Sequence, residues 1–432
     1  MNREDAGGSD TAVTRRDFVK ASAVAAGSSF AALQLGAARS AHAAGSDAIR
    51  IGLIGCGGRG TGAAINALEA SDATRIVALA DVLPDRLDGS RGHLAERGER
   101  GKVSDERCHV GFDAYRELLA GDVDMVILAT PPHFRPIHLE AAVNAGRHVF
   151  MEKPVAVDPT GIRKVFAAGD MAAKKKLSIV AGTQRRHQQR YREAMQRVRD
   201  GALGKIVSGR CYWNQGGLWM HEPRAEWTDM EWQLRNWLYF TWLSGDHIVE
   251  QHVHNIDVLN WAIGTHPIKA YGMGGRQVRT DPNYGHIFDH FAIEFEYPQQ
   301  IHVTSMCRQM DGCTDRVAEA IHGSEGMCDM SWQGATITGK APWRFEVKER
   351  SAYVQEHMDL VASIHGGTYY NEARQVAEST LTAIMGRMSA YTGQEVTWEQ
   401  AVNSKLDLTP AAYEFGPMPM PAVAMPGQTK LI

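Results

Sequence analysis

A short apolar run, Ile49-Arg50-Ile51-Gly52-Leu53-Ile54, passes directly into Gly55-Cys56-Gly57-Gly58-Arg59-Gly60, and an alanine-rich segment from Thr61 to Leu68 follows. Glycines in this spacing suit a tight strand-to-helix turn. They allow a sharp reversal and a close approach of backbone to phosphate, while the helix start offers unpaired N–H groups and a positive dipole end. The chain is therefore expected to open its fold with a β-α-β unit that holds a dinucleotide at Gly55, Cys56, Gly57, Gly58, Arg59 and Gly60.

The next strand, Arg75 to Ala80, ends in Asp81, roughly twenty residues past the last glycine. A carboxylate there accepts ribose hydroxyls and repels a 2′-phosphate, and Val82-Leu83-Pro84 brings no adjacent base to hold one. NAD is expected in preference to NADP. Asp124 to Ala129 is a further apolar strand closed by Thr130-Pro131-Pro132-His133, and Gly146 to Met151 is another, ending in Glu152-Lys153-Pro154. Strands alternating with helices predict a doubly wound parallel sheet, whose ligands sit at the carboxyl edge. Thr130, Pro131, His133, Glu152 and Lys153 are the candidate cofactor contacts on that edge.

Together G-C-G-G-R-G, A-D-V, A-T-P-P-H and A-G-R-H-V-F-M-E-K-P resemble the glucose–fructose oxidoreductase and inositol dehydrogenase family. The resemblance implies a Rossmann domain followed by an α+β domain with a large open antiparallel sheet, drawn here as residues 46–185 and 186–415. It also implies sugar or cyclitol substrates and homo-oligomers assembled through those sheets. In the family the lysine of E-K-P lies beside the nicotinamide and the substrate hydroxyl, which maps onto Lys153. The D-x-x-x-H signature maps onto Glu250 and His254, with glutamate where aspartate is usual. Arg185 and Arg186, after the strand Ser178 to Ala181, fall where a polar or basic residue often faces the substrate; Tyr191 is a further candidate.

Oxidising a secondary alcohol requires a hydride acceptor and a base. His254 is the natural proton acceptor near neutral pH, and Lys153 would polarise the oxygen and share the proton; the residues leave open which is the base. Glu250, His252, His254 and Asp257 cluster in sequence, but they lie on a helical pattern where positions two apart diverge. No metal is expected, and His252 reads as structural.

Six tryptophans fall between Trp213 and Trp242, among them Trp237. They suit either a carbohydrate cleft or a subunit interface. Phe291 to Tyr297 and Ile301 to Met306 alternate as a hairpin would, and residues 416–432 read as an extended tail. NAD-dependent oxidation or reduction at a secondary carbon is the leading expectation. A redox-neutral glycosidase that uses bound NAD transiently is the alternative, and a non-catalytic sugar sensor stands behind both.

A formal charge of −4 over 432 residues supplies no basic footprint for nucleic acid or an anionic membrane. No stretch approaches the ~20 apolar residues of a stable membrane span. The six cysteines show no C-x-x-C pair and read as free thiols. Residues 1–43 carry Arg15-Arg16, a small-residue run and Ala41-His42-Ala43, the pattern of a twin-arginine export signal. The translocase would then be a partner, the destination periplasmic or otherwise exported, and the cofactor tightly held, because free dinucleotide is scarce there. Replacing Arg15 and Arg16 by lysine is expected to leave precursor in the cytoplasm, read by fractionation and immunoblotting. Unchanged export of that variant would contradict the assignment.

Overall fold

The computed structural model describes residues 48–432; the twin-arginine motif and the Ala41-His42-Ala43 site lie outside the described residues. Six strands form the first sheet: β1 (Ile49–Ile54), β2 (Thr74–Asp81), β3 (Cys108–Val110), β4 (Met125–Leu128), β5 (His148–Met151) and β6 (Ile179–Ala181). Their order is β3-β2-β1-β4-β5-β6 and every pairing is parallel. β4 is buried throughout because helices cover both faces, which explains its unbroken apolar sequence. The order reverses between β1 and β4, and that switch opens a crevice at the strands' carboxyl ends.

The glycine loop sits at this switch. Gly55 adopts φ +99°, and a Cβ there would lie 2.4 Å from Thr130 N. A Cβ on Gly60 would lie 1.8 Å from Gly55 O. Both positions need glycine, and the helix Gly58–Ala70 can then start directly against the strand ends.

The second sheet holds β7 (Ile206–Gln215), β8 (Lys269–Gly275), β9 (His290–Tyr297), β10 (Ile301–Gln309), β11 (Arg316–Gly323), β12 (Gly326–Ser331), β13 (Gly334–Gly339), β14 (Trp343–Arg344) and β15 (Val396–Thr397). Its order is β14-β13-β12-β11-β7-β10-β9-β8-β15; β7 and β10 run parallel and the other pairs antiparallel. The hairpin read from alternation is β9–β10, with Ile301 opposite Tyr297. Phe295, Val303 and Ile321 point inward and share a core with Ile256 and Leu381 from the helices Val253–Ile263 and Ala373–Thr392. The opposite face leaves Tyr271 58% and Met273 68% exposed.

The chain then returns to the first layer. The helix Ala352–Gly366 buries Leu360 and Val361 in one cluster with Ile51, Phe150 and Val180. The segments 46–185 and 186–415 thus share a core. His187, just beyond β6, fastens this return: its Nδ1 lies 2.6 Å from Asp359 Oδ2 on that helix. Burial pulls the imidazole's pKa down, but Asp359 and Glu372 outweigh burial and hold it at about 9.

A raised folded pKa stabilises the fold fully below the unfolded value near 6.5 and loses that contribution as pH climbs through about 9. Melting temperature is expected to decline across this window, and His187→Gln to flatten the decline; an unaltered slope would remove the staple. Gly60→Ala is expected to cost about 2–3 kcal/mol in denaturant unfolding by crowding Gly55.

Candidate active site

The crevice is a cleft of about 660 Å³ that runs from Asp81 past the glycine loop to Lys153 and His254. At one end the Asp81 carboxylate accepts N–H bonds from Cys56 at 2.6 Å and Leu83 at 2.8 Å. Burial raises its pKa against those bonds. In the middle a Cβ on Gly57 or Gly58 would meet nothing within 4 Å, so backbone there faces open space. This is the cradle a pyrophosphate requires, set at the first turn of a helix. The residues present fit a nicotinamide dinucleotide, which would lie with its ribose near Asp81 and its phosphates over Gly57 and Gly58.

At the other end the two domains meet. Lys153 Nζ donates to Glu250 O at 2.6 Å, Glu250 Oε1 at 3.0 Å and Gln251 Oε1 at 3.2 Å. His254 lies beside them on the next helix, lining the cleft. Burial drives its pKa well below the usual histidine value, and Lys153, Arg185 and Arg59 push the same way. The ring stacks on Trp213 at 5.8 Å between centroids. A carboxylate, an ammonium and a neutral imidazole therefore converge on one wall, groups able to hold an alcohol oxygen and move its proton.

Glu152 accepts from Arg59 Nε at 2.5 Å, and Arg135 holds its carbonyl at 2.8 Å. Arg59 also approaches the fully buried Glu356 at 3.7 Å, and its guanidinium lies over the Tyr353 ring. The arginine of the glycine loop thereby links three segments distant in sequence.

Of the sequence candidates, Gly55, Gly57, Gly58, Arg59, Asp81, Thr130, Pro131, Glu152, Lys153, Trp237, Glu250 and His254 line the cleft. Gly60 and Cys56 support the turn from behind, the Cys56 thiol bonding Ala80 O at 3.6 Å. His133 points away: its Nε2 meets Tyr413 OH at 2.8 Å, and burial pulls its pKa down to about 4. Arg185, Arg186 and Tyr191 also differ from the expectation of a substrate-facing group. Arg185 is buried against Glu319, Tyr191 OH donates to Glu319 at 3.0 Å, and Arg186 grips Asp257 at 2.7 and 2.9 Å. These carboxylates have no water to face, so the basic residues turn inward to neutralise them.

The neighbour of that pair, Gln184, does line the cleft, as do Gln251, Tyr353, Arg86, His221 and Arg235. The tryptophans divide. Trp219 and Trp237 face the cleft, whereas Trp232 and Trp242 pack in an aromatic cluster with Phe134 and Phe240. Arg235 on the same insertion ties the roof to the Rossmann layer through Asp85 at 2.8 and 2.9 Å. The tail reinforces it: Gly416 O accepts from Met230 N at 3.1 Å, and Phe415 packs on Phe112. Arg86, His221 and Arg235 add basic groups to the cleft that adjacency in sequence did not reveal, and Arg86 lies close enough to Asp81 to pull its pKa down.

Residues 49–183 match the sequence family described as an oxidoreductase family with an NAD-binding Rossmann fold, and residues 191–329 match the GFO/IDH/MocA C-terminal domain. Inositol 2-dehydrogenase 4 of Saccharopolyspora erythraea is 32% identical over 163 residues, 38% of this chain and 44% of that protein. A glycosyl hydrolase family 109 protein of Shewanella amazonensis is 26% identical over 239 residues, 52% of this chain and 50% of that protein. The chain thus spans about half the length of the curated relatives it matches. The aldose-aldose oxidoreductase of Caulobacter crescentus shares the fold with a TM-score of 0.64 at 19% identity, over 81% of this chain and 99% of that one. With both family domains matched in order, and with the parallel sheet, the glycine loop and the mostly antiparallel second sheet all in place, the chain belongs to the Gfo/Idh/MocA oxidoreductase family.

Proposed function

We propose that this protein is an NAD-dependent oxidoreductase that moves a hydride between the nicotinamide and a secondary hydroxyl or ketone of a sugar, sugar derivative or cyclitol. The observation that carries this reading is the convergence of Lys153, Glu250 and His254 at one end of a cleft whose middle is a phosphate cradle. The nicotinamide, when bound, supplies the hydride acceptor. His254 would hold the reacting oxygen with the Lys153 ammonium alongside, and Trp219 and Trp237 are the aromatic faces the cleft offers to a sugar ring. Asp81, at the carboxyl end of β2 where it lines the cleft, supports NAD over its 2′-phosphorylated form.

The contacts that tie residues 230–235 to Asp85 and to Gly416 support retention of a bound dinucleotide. Such retention fits a protein exported already folded through the twin-arginine route and working in the periplasm. The exposed apolar residues Tyr271, Met273 and Met306 on one face of the second sheet support a homo-oligomer formed sheet to sheet. Among the described residues no helix is long and apolar enough to cross a membrane.

One observation favours the redox-neutral glycosidase as a second reading. Tyr353 stands at the cleft beside Arg59, and a relative bears the name glycosyl hydrolase family 109 protein. A tyrosine there could serve as the extra proton-transfer group that an elimination needs.

Protein purified without added cofactor is expected to release NAD on unfolding, seen by absorbance and mass. A sugar and cyclitol panel added to native protein should yield bound NADH with one substrate class. Aglycone release without net reduction would transfer the assignment to the glycosidase, and failure to bind dinucleotide on titration would end both readings.

A further inference from the structure

The two nitrogens of His254 meet different surroundings. The residue lines the cleft, yet its Nδ1 is buried with no hydrogen-bond partner, so Nε2 is the nitrogen that reaches a ligand. An imidazole that accepts a proton is ordinarily held through its other nitrogen by a carboxylate or carbonyl, which fixes the tautomer and stabilises the cation. His254 has no such partner. Its ring is set by Trp213, 26° from coplanar, and Trp213 carries the Arg185 guanidinium 5.5 Å over its ring.

The charges around this ring oppose a further cation. Lys153, Arg185 and Arg59 are the cations around it, and the carboxylates of the neighbourhood, Glu250 and Glu319, are bonded to Lys153 and Arg185. A proton on Nδ1 would be buried without an acceptor among the described residues. A bare lone pair on Nδ1 costs less, and it leaves the proton on Nε2.

Lys153 and Glu250 complete the assignment. The three Nζ bonds of Lys153 all go to Glu250 and Gln251, so Lys153 has no N–H to spare. Glu250 lines the cleft, and of its two carboxylate oxygens only Oε1 accepts a hydrogen bond among the described residues. Oε2 is therefore open to a ligand.

We propose, on the hydride-transfer reading above, that His254 serves as a neutral hydrogen-bond donor through Nε2–H and that Glu250 Oε2 is the base. In the oxidation direction the substrate O–H bond breaks and its proton joins Glu250 Oε2. The electron pair of that bond forms the second C=O bond, and the carbinol C–H pair leaves as hydride to oxidised nicotinamide. Nε2–H steadies the oxygen as negative charge builds, with the Lys153 ammonium alongside. Trp213 and Arg185 act as positioning residues that hold the ring and keep it uncharged.

The test uses the dinucleotide-loaded protein with nitrogen-labelled histidine. The His254 signals, assigned by their loss in His254→Gln, are expected to report an Nε2–H tautomer that does not titrate between about pH 5 and 8. His254→Gln, which keeps an N–H donor near that position, should hold kcat within about tenfold, whereas His254→Ala should lose ~10²–10³-fold. Glu250→Gln should lose ~10²–10⁴-fold and abolish the acid limb of the kcat/KM profile, which His254→Gln retains. Unchanged dinucleotide affinity shows that each variant is folded. An Nδ1–H tautomer, protonation of the ring within that range, or a Gln variant as inactive as the Ala variant would overturn the proposal. The nitrogen signals are read without turnover, so they decide the state of His254 even if the sugar panel overturns the function.

Discussion

The bond between Lys153 and Glu250 holds the two halves of this molecule in register. The lysine stands just past the end of β5, in the parallel layer, and the glutamate ends a one-turn helix, His247–Glu250, of the second domain. Both side chains are 11% exposed. Removing two ions from water costs several kcal/mol each unless partners restore the lost hydration. Here the backbone carbonyl of Glu250 and the Gln251 amide oxygen share the ammonium with the carboxylate. The fixed cross-domain contact then determines where His254, a few residues on, can project.

Much of this was legible in sequence because it depends on local rules. The glycine loop had to lie between a strand and a helix, since Gly60 tolerates no side chain against Gly55. The alternation in Phe291–Tyr297 fixed one buried face, and the unbroken apolar run at β4 marked a strand covered on both sides. Lys153, Glu250 and His254 were readable through a resemblance whose motifs surround them. What stayed hidden depends on partners far away in the chain. Arg185 and Arg186 look like surface cations until Glu319 and Asp257 are placed beneath them, more than seventy residues away in each case. The helix Ala352–Gly366 carries no sequence mark that it will return to cover the first sheet, because apolar spacing states which face is buried and not against what. His133 sits at the expected sheet edge, but Tyr413, just ahead of the tail, holds its buried ring away from the cleft.

Cations crowd the cleft, and most of them already have carboxylate partners. Arg59, Arg86 and Arg235 line it together with Lys153. Some are already neutralised: Arg59 by Glu152, Arg235 by Asp85 and Glu231. Arg59 is the most constrained, because the loop that carries it must also cradle phosphate. Glu356 approaches it from the returning helix at 3.7 Å, with neither carboxylate oxygen hydrogen-bonded and burial pushing its pKa well above the usual carboxylate range.

That pairing has a consequence for how the site is tuned. A fully ionised Glu356 would bring a second buried negative charge close to Glu152 and leave Arg59 shared between two anions. A proton on Glu356 removes the repulsion and leaves Glu152 as the sole anionic partner of Arg59. The guanidinium then keeps enough positive field to meet a pyrophosphate, instead of being cancelled twice over. The same burial that raises the Glu356 pKa lowers that of His254. Burial, rather than any one hydrogen bond, therefore opposes charge on both groups, next to the ionised pairs Arg59–Glu152 and Lys153–Glu250.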